Sequence, residues 1–233
     1  MSIGSFTFVL HSHLPYVLQH GKWPHGMDWL NEAASETYIP ILNVLYELIN
    51  EGYSPKLTIG ITPVLTEQLA DPFFKEEFRS FLQSKIDAAQ KDQLYFKKTG
   101  EKQMIYLAQF WEKYYTDIKS DFENKYNQDL VGAFKKLSDL GYLDIITCGA
   151  THGYFPLLSQ DISIQAQVKT AISTHEKHFG KKPDGIWLPE CAYRPSYKWK
   201  PPIKIPILQE EYLRKSVEEF LSENNIKYFF VDT

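Results

Sequence analysis

Apolar residues recur along this chain with two different periods. Short runs without strict alternation read as strands buried on both faces: Ser5 to Leu10 (SFTFVL), Lys56 to Ile61 (KLTIGI), Leu143 to Cys148 (LDIITC), Ile186 to Leu188 and Lys227 to Val231 (KYFFV). Between them the apolar positions fall at helical spacing. Asn31 to Asn50 carries Ile41, Leu42, Leu45, Leu48 and Ile49 on one face, with Pro40 predicting a kink or a division into two helices and Gly52 a stop. From Val64 to Leu140 the pattern is helical almost throughout, with Asp71-Pro72 as a cap and first-turn pair. Two aromatic stripes there, Leu69 to Ile86 and Tyr106 to Tyr115, read as packing faces. Ile164 to Phe179 is amphipathic and closed by Gly180, and Glu210 to Leu221 is expected to form a short helix after a proline-rich loop at Pro201 to Pro206.

Strands alternating with helices predict an α/β fold with a parallel sheet and helical crossovers. Five strand units fall short of a closed eight-stranded barrel, so the sequence is expected to be the front portion of a larger one, with residues 64–140 a helical excursion after the second strand.

The 233 residues suffice for a sizeable core, and 43% hydrophobic with 23% charged residues is ordinary for a globular protein. A net charge of −4 gives no reason to expect nucleic acid or an anionic membrane as partner. Fifteen Tyr, fifteen Phe and five Trp suit either a bulky core or rings that stack on sugars. Two cysteines, Cys148 and Cys191, make no disulfide framework, and the apolar runs are far below the roughly 20 residues of a membrane span; a cytoplasmic protein is expected.

What changes the picture is the chemistry at the strand ends. The first strand delivers His11 and His13, the third leads to His152, and the fourth meets Pro189 and then Glu190. In a parallel sheet these ends lie on one face, so the four can converge. Trp187, Tyr193 and Arg194 flank the glutamate, and Trp23 and Trp29 sit in the loop after the first strand; aromatic surface beside a carboxylate suits a polyhydroxylated ligand. Each residue also has a plain reading, as a loop carboxylate or a hydrogen-bonded structural histidine. His-x-His with a distant carboxylate is a weak metal signal.

Three motifs carry a more specific likeness: HSHLPYV (His11 to Val17), GATHGYFPLL (Gly149 to Leu158) and WLPECAYRP (Trp187 to Pro195). In order and spacing they resemble glycoside hydrolase family 57, most closely its 1,4-α-glucan branching enzymes. The resemblance implies an incomplete (β/α)7 barrel of the glycoside hydrolase/deacetylase type, a retaining mechanism, and neither metal nor cofactor. It makes Glu190 the nucleophile, with His11, His13 and His152 binding hydroxyls of an α-1,4-glucan and Trp187, Tyr193, Trp23 and Trp29 available to stack on glucose. The family's acid/base aspartate belongs to a fourth motif with no match here; Asp232 corresponds to the strand before it. The chain is therefore expected to be the N-terminal part of the catalytic barrel, without the rest of the barrel or the C-terminal helical domain, and inactive alone. A family 57 α-amylase or 4-α-glucanotransferase, and a metal-dependent polysaccharide deacetylase with His11 and His13 as ligands, are the alternatives.

Overall fold

A computed structural model describes Gly4, residues 6–203 and residues 211–231. It divides into two compact units, one of Met1–Pro15, Lys56–Glu67 and Lys135–Thr233, the other of Tyr16–Pro55 and Gln68–Phe134. In chain order the elements begin with β1 (Phe8–Ser12), α1 (Met27–Ala33), α2 (Ile39–Asn50), β2 (Leu57–Ile61), α3 (Pro63–Ala70), α4 (Pro72–Thr99), α5 (Lys102–Ser120) and α6 (Leu130–Asp139). They continue with β3 (Leu143–Cys148), α7 (Asp161–Phe179), β4 (Gly185–Trp187), β5 (Tyr197–Trp199), β6 (Tyr212–Arg214), α8 (Val217–Glu223) and β7 (Tyr228–Phe230).

The first unit is built on a five-stranded sheet in the order β1-β2-β3-β4-β7, every neighbouring pair parallel. Each new strand joins on the same side as the chain proceeds. A doubly wound sheet would reverse direction at a switch point, whereas an order without reversal is that of a (β/α) barrel. The sheet is thus the arc of an incomplete (β/α) barrel.

Alternation along each strand divides the side chains between two faces. On the outer face Ile186 of β4 packs with Leu188, Phe155, Ile164 and Val168 of α7, and Val217, Phe220 and Leu221 of α8, with Phe229 of β7 against them. The inner face is crowded in a different way. Two strand glycines there leave space for larger neighbours. A Cβ on Gly60 would come within 2.9 Å of His11 Nδ1, and one on Gly185 within 2.3 Å of the Tyr228 ring. The Tyr228 hydroxyl crosses the inner face to bond Asp144 of β3.

The structure departs from the sequence expectations in three places. First, β1 runs on to Ser12, because its ladder with β2 continues through His11↔Gly60 and Ser12↔Ile61; His11 is therefore inside the strand, and His13 is the first residue beyond it. Second, the helix expected from Glu210 starts later. Tyr212–Arg214 is instead a strand, paired antiparallel with Tyr197–Trp199, and Ser216 then opens α8 through a reciprocal capping box with Glu219. Glu210 itself, the end of the proline-rich loop and Asp232 lie outside the described residues.

The third departure is in the helical unit. There Asp71 caps α4 by accepting from Phe73 N, and Phe74, Phe78 and Phe122 meet ring to ring in its interior, Phe78 standing on edge to Phe122 at 4.8 Å. α2 follows α1 through a π turn, Ala34–Tyr38, that widens the helix where Pro40 has no N–H to give. The stripe on α5, however, is only partly a packing face. Tyr115 is buried and Tyr114 donates to Ser35 O at 2.8 Å, but Tyr106 is 61% exposed and Phe110 and Trp111 are also open. The buried line of α5 is Ala108, Tyr115 and Ile118. Glu112, which accepts from Gln90 and Gln93 of α4, ties the two helices along their shared seam, and a helix pair has only one such seam.

Candidate active site

Four of the expected residues come together on the inner side of the sheet's carboxyl end. His13 lies parallel to His152 with ring centroids 3.8 Å apart, and His11 stacks on Trp187 at 4.9 Å. The Nε2 atoms of His11 and His152 are 3.3 Å apart. Glu190 Oε1 is 3.8 Å from His152 Nδ1, within ionic reach but beyond a hydrogen bond. The carboxylate side chain is 70% exposed, whereas that of His152 is 9% exposed. The site thus has an imidazole floor and an accessible carboxylate at its rim.

The local backbone explains how the residues are presented. His152 (φ 58°), Glu190 (φ 57°) and Cys191 (φ 51°) all adopt left-handed conformations, which L residues with a Cβ rarely occupy. Such strain accumulates where the surrounding structure over-determines a functional geometry. At Glu190 it belongs to a tight turn just beyond β4, closed by Cys191 N donating to Leu188 O at 2.8 Å, within which Glu190 is not helical.

Hydrogen-bond partners bear on the ring tautomers. Thr62 Oγ1 accepts from Leu65 N and is also hydrogen-bonded to His13 Nδ1 at 3.3 Å. His11 Nδ1 is buried without a partner among the described residues. An orphaned acceptor is tolerated more often than an orphaned N–H, which puts the His11 proton on Nε2, donated to His152 Nε2. His152 then carries its proton on Nδ1, facing Glu190. His175 shows the contrast: both its ring nitrogens meet backbone carbonyls, Lys181 O at 2.8 Å and Ile145 O at 3.1 Å, and it is a structural histidine.

Burial, with a further push from neighbouring imidazoles, lowers His11 and His13 to about 4. His152 is also lowered by burial, although Glu190 pulls the other way. All three are therefore neutral at pH 7, each with one donor and one acceptor, the pairing that a sugar hydroxyl requires.

Of the other expected residues, only Trp187 touches the cluster. Trp187 is on the inner face, but its ring already meets His11 and Phe230, so it props the histidine as well as offering surface. Tyr193 is not brought into the cluster. It stacks on Phe229 at 5.9 Å, donates to Glu218, and packs against the outer core. Arg194 is exposed, its guanidinium turned to Tyr193 O. Trp23 and Trp29 belong to the helical unit, where Trp23 is 75% exposed and Trp29 lies 5.4 Å from the His25 ring. Three participants were not anticipated: Gly60, Thr62 and Cys148. The glycine inside KLTIGI was a readable sign of close approach. Cys148, fully buried at the end of β3, is grouped with His11 and His152.

Residues 7–233 match the family model of glycosyl hydrolase family 57. The 1,4-alpha-glucan branching enzyme of Thermococcus kodakarensis is 44% identical over 230 residues, 99% of this chain and 32% of the relative's length. The crystal structure of a GH57-type branching enzyme from Pyrococcus horikoshii superposes with a TM-score of 0.89 at 44% identity, covering 96% of this chain and 41% of that one. The alpha-amylase AmyC of Thermotoga maritima follows with a TM-score of 0.78 at 31% identity, covering 97% of this chain and 39% of that one. The chain thus spans about a third of the length of the branching enzyme it matches, 32%. Among its described residues no helix is long and apolar enough to cross a membrane. With its three motifs gathered at the ends of three parallel strands and a family match running almost from end to end, the chain belongs to glycoside hydrolase family 57.

Proposed function

We propose that this chain carries the nucleophile and the sugar-binding floor of a 1,4-α-glucan branching enzyme. The observation that carries the reading is the convergence of His11, His13 and His152 beside an accessible Glu190, in a chain 44% identical to a branching enzyme over 99% of its length. Glu190 attacks the anomeric carbon of an α-1,4-glucan and forms a covalent glycosyl-enzyme, while an acid protonates the departing oxygen. The 6-hydroxyl of an acceptor glucan then displaces the carboxylate, which leaves an α-1,6 branch and restores Glu190. The neutral histidines hold ring hydroxyls of the reacting glucose, and His152 lies beside the carboxylate. The acid/base aspartate is in a motif that these residues do not match, and we assign it to the remainder of the family architecture, of which 1–233 forms the front of the barrel. Two cysteines that make no disulfide framework suit the cytoplasm, and the net charge of −4 offers nucleic acid no electrostatic attraction.

The test is a chimaera in which these residues replace the matching segment of the Thermococcus kodakarensis enzyme. It should create α-1,6 linkages in amylose, and Glu190→Gln should abolish them. Branch formation that survives Glu190→Gln would overturn the nucleophile assignment. Release of reducing sugar without branches would favour the α-amylase reading, which the likeness to AmyC supports. The 233-residue chain alone should form few or no branches.

A further inference from the structure

We propose that His11, His152 and Cys148 form a binding site for a zinc-class divalent cation, and that the ion and the glucan exclude one another. One ring nitrogen from each histidine and Sγ of Cys148 lie within 4.8 Å of one another. The Nε2 atoms of the two histidines are 3.3 Å apart, close to the ~3.4 Å edge of a tetrahedron with Zn–N bonds of ~2.0–2.1 Å. Two imidazoles and a thiol are a donor set for Zn²⁺ or Co²⁺, and a poor one for Mg²⁺ or Ca²⁺, which want oxygen.

The His11 ring is held by stacking on Trp187 and by the room that Gly60 leaves beside Nδ1, so Nε2 is the nitrogen that it presents to an ion. Cys148 has no place in the sugar chemistry, yet it sits fully buried where the histidines of β1 and of the loop after β3 meet. A thiol binds such an ion as the thiolate. Coordination forms the metal–sulfur bond and breaks S–H, and the proton passes to solvent, one per ion. The fourth position is left to water, because Glu190 lies near Nδ1 of His152, on the other side of that ring. The ion thereby occupies the imidazoles that glucan hydroxyls use. It is an inhibitor, with no part in glycosyl transfer.

The decisive measurement is titration of the purified chain with CoCl2 and ZnCl2 after chelator treatment. Co²⁺ should bind one to one and produce a thiolate-to-cobalt charge-transfer absorption, and Zn²⁺ should displace it. Zinc calorimetry in two buffers of different ionisation enthalpy should show release of about one proton per ion. Cys148→Ala should remove the absorption and weaken Zn²⁺ at least tenfold. His152→Gln, an independent variant, should also weaken it tenfold or more. No binding, or undiminished binding in both variants, overturns the site. The exclusion rests on the glucan reading, so maltoheptaose affinity is measured with and without saturating Zn²⁺, and should fall at least tenfold. Unchanged affinity overturns the exclusion, whereas metal binding without any maltoheptaose binding counts against the glucan reading and leaves the metal site standing.

Discussion

On the outer face of the sheet Ile186 and Phe229 pack with Ile164, Val168 and Phe220, apolar atoms against apolar atoms. One residue further along the same two strands, Trp187 and Phe230 turn inward, toward His11 and the histidines beyond it. Adjacent residues thus serve opposite purposes. The outer face gains stability from burial and needs only shape and volume. The inner face holds titratable rings with an orphaned nitrogen, left-handed residues and strand glycines, each of which lowers stability in exchange for position. Substitutions should therefore separate stability from activity according to face.

The largest effect should come from Glu190→Gln, with branching in the chimaera falling a thousandfold or more, while the thermal midpoint moves little because that side chain is mostly in solvent. A large loss of stability would break the contrast. Ile186→Ala is the converse, expected to cost about 2–5 kcal/mol in denaturant unfolding of the chain and to leave maltoheptaose affinity, measured where the protein remains folded, near the parent value. Gly60→Ala crosses the line between faces. Its methyl would press on His11 Nδ1, which should lower stability by about 1–3 kcal/mol and also weaken maltoheptaose binding, by a predicted tenfold in calorimetry.

A further effect is that of pH. His11 and His13 titrate at about 4 when folded and at 6.5 as free groups, so the unfolded chain takes up protons first as pH falls. Their contribution is whole above 6.5 and is lost progressively down to about 4, with nothing further below. With chelator present, the thermal midpoint should fall across that window, and fall less in His11→Gln. An equal fall in the variant would remove the buried histidines as its cause.

The outer face was legible in the sequence and the inner face only in part. Burial on both sides leaves continuous apolar runs, which locate β3 to the residue, and the Gly180 and Asp71-Pro72 signals bound α7 and α4. The end of β1 was misplaced because pairing with β2, a property of the partner strand, carried the ladder through His11. The short hairpin of β5 and β6 escaped for a similar reason, although Ser216 and Glu219 marked the true helix start. In the site, the motif residues could be named from their order, but no spacing shows that Tyr193 turns to the outer core. Nor does it show that Cys148, the last residue of an apolar strand, stands beside two histidines.

The placement of the helical excursion has a consequence in chain entropy. Between Ile61 at the end of β2 and Leu143 at the start of β3, the chain leaves the sheet for α3, α4, α5 and α6 and returns to pair in register. Closing a loop of ~80 residues in place of a ~20-residue crossover adds only about 1.2 kcal/mol, since the penalty grows with the logarithm of length. Packing along the α4–α5 seam can offset that much. The distance travelled between β2 and β3 is therefore almost free to drift, and the helix pair can lengthen or shorten by whole turns while Gly60 and Cys148 keep their stations on neighbouring strands.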